Sequence, residues 1–115
     1  MRIEVTLDCV DLQATAAFWQ AALGYAREDV IEGRYASLAG NGPTLTLQRV
    51  LEPKTVKNRL HPDLLVAHVD DEVARLQALG ATVLPPGVRE EFGQRWVVLA
   101  DPEGNEFCVA KDPDR

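Results

Sequence analysis

Between Arg2 and Cys9, apolar and polar residues alternate strictly: Ile3, Val5, Leu7 and Cys9 share one face, and Arg2, Glu4, Thr6 and Asp8 share the other. A period of two marks a strand buried on one side. From Asp11 the period changes. Leu12, Ala16, Phe18, Trp19, Ala22 and Leu23 recur every three or four residues, with Asp11 placed to cap and Gly24 to stop, which predicts an amphipathic helix over 11–23. Strands are then predicted over 25–31, 34–38 and 44–50, divided by Glu32-Gly33 and by Gly40-Asn41-Gly42-Pro43. Residues 51–59 are polar and proline-interrupted and read as a connection. The order then begins again. A strand is predicted over 60–66 and a helix over 70–79 through Val73, Leu76 and Leu79, stopped by Gly80. Strands follow over 81–84, 88–92, 95–100 and 106–110, with turns at Pro85-Pro86-Gly87, Gly93 and Asp101 to Asn105.

Ala22-Leu23-Gly24 and Ala78-Leu79-Gly80 occupy the same place in each half, an internal repeat of about 55 residues. Neither half alone buries both its helix and a face of its sheet well, so one domain over 1–115 is expected, with module one at about 1–50, a linker at 51–59 and module two at about 60–112. The chain has 115 residues, 46% of them hydrophobic, and 12 Lys+Arg against 18 Asp+Glu, a net charge of −6. The acid excess argues against nucleic acid and anionic membranes as partners, since both demand a clustered basic face. No apolar run reaches the ~18 residues of a membrane span and the N-terminus lacks the apolar stretch of a leader, so a cytoplasmic location is expected. Cys9 and Cys108 form neither a disulfide framework nor a CxxC pattern and read as reduced thiols.

Asp11-Leu12 through Phe18-Trp19 to Leu23-Gly24-Tyr25, His61-Pro62-Asp63-Leu64 through Leu76 to Leu79-Gly80-Ala81, and the turn Asp101-Pro102-Glu103-Gly104-Asn105-Glu106-Phe107 resemble the vicinal oxygen chelate superfamily over essentially the whole chain. That superfamily contains glyoxalase I, extradiol dioxygenases, bleomycin-resistance proteins and small glyoxalase-like domains, and the last branch fits best. The resemblance implies an α+β fold of two βαβββ modules, each a curled mixed sheet with a helix on its convex face and a ligand cup on the other. In metal-dependent members, a divalent ion such as Zn, Ni, Fe or Mn is held from four positions, which fall here on Glu4, Gln48, His61 and Cys108. The alternation agrees, because Glu4 keeps company with Thr6 and Asp8, Gln48 with Thr44 and Thr46, and His61 with Asp63, each on the polar side of its predicted strand.

This set departs from the family's His/Glu combinations. Gln48 is a neutral ligand, and the apolar neighbours Phe107 and Val109 favour a buried, protonated Cys108. A site without the full metal set is therefore the leading expectation. His61 then serves as general acid or base, because histidine is the side chain that changes charge nearest neutrality, and Asp63 orients it. Glu4, Thr6, Asp8, Thr46, Gln48, Trp96, Glu106 and Cys108 are the candidate ligand contacts. The alternative for Glu4 is pairing with Arg2 or Arg59. Lys54, Lys57 and Arg59 stand either as rim charges for an anionic group or as a solvated linker. Tyr35, Phe92 and Trp96 are candidate apolar lining, Phe18 and Trp19 candidate core, and His68 a solvent-exposed turn residue. Three functions remain open: lyase- or isomerase-type chemistry on a small molecule, drug sequestration of the bleomycin-resistance type, and a metal-dependent lyase or dioxygenase. A homodimer is expected.

Overall fold

The structure is a computed structural model that describes residues 1–115, apart from the Val30 side chain. Its elements run β1 (Val5–Cys9), α1 (Leu12–Leu23), β2 (Ala26–Ile31), β3 (Tyr35–Ala39), β4 (Leu45–Arg49), β5 (Asp63–Val66), α2 (Val69–Leu79), β6 (Thr82–Glu91), β7 (Gln94–Ala100) and β8 (Glu106–Lys111). The predicted βαβββ order thus occurs twice, once in each of two compact units, Met1–Thr55 and Val56–Arg115.

In the first unit the sheet order is β1-β4-β3-β2, with β1 and β4 parallel and the other pairs antiparallel. The helix starts where the Asp11 carboxylate accepts the Ala14 N–H at 3.0 Å and ends at Gly24, whose φ of 68° is a left-handed geometry that glycine adopts without strain. Its stripe of Leu12, Thr15, Ala16, Phe18, Trp19 and Ala22 is buried, so both Phe18 and Trp19 belong to the core. Their rings meet edge to face at 5.2 Å, a favoured arrangement of two π quadrupoles. Ala36, Leu38, Leu45, Leu47 and Cys9 supply the buried face of the sheet.

The second unit repeats this order as β5-β8-β7-β6, with β5 parallel to β8. Val97, Leu99, Phe107 and Val109 face Leu76 of α2 in its core. Asp70, Asp71 and Glu72 fill the first turn of α2, where the helix dipole favours anions, and Asp70 also holds Arg95 of β7 at 2.7 Å.

Three boundaries differ from expectation by more than one residue. The strands predicted over 81–84 and 88–92 are one strand, β6, with a shift of register between Val83 and Val88 in place of a turn. β6 is the sheet edge, where Pro85 and Pro86 remove no ladder donor and an extra loop of chain is accommodated as a bulge. β1 begins at Val5 and not Arg2, because its partner strand ends at the Thr44 carbonyl, beyond which lies Pro43. β5 begins at Asp63 and not Leu60: Pro62 has no N–H to extend the ladder, although its carbonyl still accepts from Cys108 N–H at 2.9 Å.

Candidate functional site

Alternation along β7 and β8 sets the chemistry of the second unit. Val97 and Leu99 point to α2, so Trp96 and Val98 point to the opposite, open face. Register carries that face across the sheet, pairing Val98 with Cys108 and Cys108 with Asp63, and in the next row Arg89 with Trp96 and Trp96 with Ala110.

His61 lies two residues ahead of Asp63, just before β5, and its side chain folds back onto the same face. His61 Nδ1 is 3.2 Å from Asp63 Oδ1 and 3.7 Å from Cys108 Sγ. His61 and Asp63 are about half exposed, at 44% and 54%, while Cys108 is buried. Burial, and then the neighbouring Asp63 carboxylate, push the Cys108 thiol up to about 11; Arg89 and Lys57 pull it back part of the way. The thiol is therefore protonated near neutrality, as its Phe107 and Val109 neighbours predicted.

Glu106 opens β8 on this face. One of its carboxylate oxygens accepts the Asn58 backbone N–H at 2.9 Å, and the Asn58 side-chain amide donates to the Leu60 carbonyl at 3.3 Å. The segment carrying His61 is thereby fixed to β8 at one end by Glu106 and at the other by the Pro62 carbonyl. Asn58 Oδ1 is buried without a protein partner. Neither Asn58 nor Arg89 stood out in the sequence, and only the polar character of residues 51–59 hinted at the first.

The first unit carries the other candidates. Thr6 and Asp8 point away from the side of half-buried Leu7 and buried Cys9, with Thr6 opposite Thr46, Asp8 opposite Gln48, and Tyr35 opposite Gln48 on its other flank. Glu4 lies ahead of β1 and pairs with Arg2 at 2.9 Å, the ordinary alternative to a ligand role. The two units match at the positions that matter here. Glu4 and His61 each precede their helix cap by the same interval, as do Thr6 and Asp63; Thr6 faces Thr46 as Asp63 faces Cys108. The counterpart of Cys108 is thus Thr46, and Gln48 stands one step further along β4, matching Ala110.

Two remaining candidates lie apart. Phe92 is 94% exposed at the tip of the β6–β7 hairpin and lines nothing. His68 is exposed at the N-cap of α2, with no capping bond from its side chain.

His61, Asp63 and Cys108 also offer nitrogen, oxygen and sulfur donors that all lie within 4.8 Å of one another. Such a set fits a divalent ion, with a thiolate that suits zinc better than a hard, oxygen-preferring ion.

Two βαβββ units with parallel outer pairs define the fold of the glyoxalase/bleomycin-resistance/dioxygenase class. A family profile for a glyoxalase-like domain matches residues 4–110, and the chain belongs to that family within the vicinal oxygen chelate superfamily. No curated protein matches the chain in sequence. Among solved structures it is similar to a glyoxalase/bleomycin resistance protein/dioxygenase family enzyme from Burkholderia phytofirmans (21% identity, 94% of this chain and 95% of that one, TM-score 0.79). It is also similar to a lactoylglutathione lyase from Agrobacterium tumefaciens (20% identity, 96% and 92%, TM-score 0.71). A third likeness is to a mutant of the fosfomycin-resistance protein FosX from Listeria monocytogenes, in complex with Mn(II) and a dihydroxypropylphosphonic acid (19% identity, 92% and 85%, TM-score 0.78). No helix among the described residues is long and apolar enough to cross a membrane.

Proposed function

We propose that this chain binds a small organic molecule against the open face of its second sheet and moves a proton on it, in lyase- or isomerase-type chemistry. The observation that carries this reading is the 3.2 Å approach of His61 Nδ1 to Asp63 Oδ1. A carboxylate at Nδ1 favours the tautomer that keeps its proton there, which leaves Nε2 as the base toward solvent or ligand. Asp63 also stabilises the imidazolium that forms once Nε2 has taken the proton. Cys108, held as a thiol, is a packing and hydrogen-bonding contact and not a nucleophile. Trp96, and at the rim Glu106, complete this face, with Glu106 acting through the segment it anchors. Thr6, Asp8, Thr46 and Gln48 are the corresponding contacts of the first unit.

The test is turnover of lactoylglutathione and of fosfomycin, the compounds in the names of two structural relatives, by wild type, His61→Ala and Asp63→Asn. Loss of rate by roughly a hundredfold or more in His61→Ala, with a smaller loss in Asp63→Asn, is the expected result. An undiminished rate in His61→Ala overturns the assignment, and saturable binding with no turnover points instead to drug sequestration.

A second reading is favoured by the donor set. His61, Asp63 and Cys108 would hold a divalent ion, which would supply Lewis-acid polarisation of a ligand oxygen. In that case the thiol gives up its proton on binding the ion. The exposed Leu51, Val56 and Leu60 support a homodimer, which sedimentation would reveal.

A further inference from the structure

The ion pairs of the second unit leave a remainder. Arg75, Arg95 and Arg115 are each held by a carboxylate. The acids next to the thiol are engaged as well, Asp63 with His61 and Glu106 with the Asn58 N–H. Among the described residues, Arg89, Lys57 and Arg59 have no carboxylate within ion-pair distance, and of these Arg89 and Lys57 are the cations whose charge reaches the Cys108 side chain. Their positions follow from the strands. Arg89 faces Trp96, which faces Ala110, two residues along β8 from Cys108 and on the same side. Lys57 adjoins Asn58, which Glu106 fixes two residues from Cys108 in the other direction. Along the strand direction the two cations therefore flank the open face, Arg89 on β6 in the row of Trp96 and Ala110 and Lys57 beside the Glu106 end of β8. The half-buried Trp96 stands beside Arg89, and the half-buried Val98 lies in the row between. Glu91, the further acid of β6 on that side, sits at the hairpin end opposite Gln94.

A chain with a net charge of −6 has acids to spare, yet none reaches these two cations. We propose that the open face of the second sheet takes a small organic oxyanion, a carboxylate or phosphonate, with its acid group on Arg89, Lys57 as the second cation, and its apolar body on Trp96 and Val98. The planar guanidinium fork offers two parallel donors to such a group, and the indole offers a flat apolar surface beside it. This deepens the ligand reading of the same face and rests on it, since the oxyanion would present its reacting atoms to His61.

The experiment is an NMR titration of the full chain with four compounds of similar shape: benzoate, phenylphosphonate, benzyl alcohol and benzylamine. Benzoate and phenylphosphonate should shift the Trp96 indole and the amides of Val98, Cys108 and Ala110, and added salt should weaken both. Their relative affinities distinguish the two acid groups. Arg89→Ala should weaken binding by roughly tenfold or more, the worth of a charge-assisted hydrogen bond, and Arg89→Lys should recover part of it. Arg89 is exposed, so the amide spectrum of each variant should match that of the wild type away from the site. Equal binding of benzyl alcohol or benzylamine at these residues, or acids that bind Arg89→Ala as tightly as wild type, would overturn the charge assignment while the ligand face stands. No response on β7 or β8 to any of the four would overturn both.

Discussion

At the scale of single residues, Cys108 gives the clearest expectation. Its thiol is pushed up from the ordinary 9.0 to about 11, chiefly by burial. In metal-free protein on a Cys9→Ala background, alkylation by iodoacetamide should stay slow through pH 8–9, where an exposed thiol already reacts, and climb only as pH approaches about 11. The linkage has a definite sign. A folded value above the unfolded one means that the contribution to stability is whole below pH 9 and is lost as pH rises from there toward 11. A rate that follows a simple thiol would contradict this placement. The protonated thiol was readable from its apolar neighbours, and the company of His61 and Asp63 from their spacing on one polar side. Arg89 was not, because the register shift between Val83 and Val88 breaks the count of alternate faces along β6. A side chain beyond a bulge has to be seen.

At the scale of elements, the turn from Asp101 to Asn105 shows why a short polar motif holds the entry to β8. Asp101 is buried, and one carboxylate oxygen accepts the N–H groups of Glu103 and Asn105, both at 2.9 Å, while the other accepts the Asn105 side-chain amide at 3.0 Å. Removing that carboxylate strands donors that are buried or nearly so. Asp101→Ala should cost about 2–4 kcal/mol in urea unfolding, whereas Asp101→Asn, which keeps one acceptor, should cost less. An effect below about 0.5 kcal/mol would place the turn's stability elsewhere. Both helices and the repeated order followed directly from periodicity, since Asp11, Gly24 and Gly80 punctuate them. Strand ends did not. They depend on which ladder bonds survive next to Pro43 and Pro62, and on the bulge that lets β6 run on through Pro85-Pro86, which are properties of the strand pairs and not of one strand alone.

For the molecule as a whole, the proposed metal reading is tested through stability. Under the metal reading, zinc at a hundredfold excess over its Kd should add about 2.7 kcal/mol to the unfolding free energy, because it binds the folded chain alone. Manganese should add less, and Cys108→Ser should remove most of the zinc effect. Calorimetric scans with each ion separate these outcomes, and a zinc response that survives Cys108→Ser would move the ion away from this cluster. The repeat itself was plain in the sequence from the paired Ala-Leu-Gly triplets, but the exact partners across it were not, since Gln48 was aligned with Cys108 where the ladders align Thr46.

That correspondence makes the first unit a blank copy of the second. Glu4→His, Thr6→Asp and Thr46→Cys together would write the same three donors onto the first unit's scaffold at matching ladder positions, so one chain would carry a built-in duplicate against which the native cluster's behaviour can be calibrated.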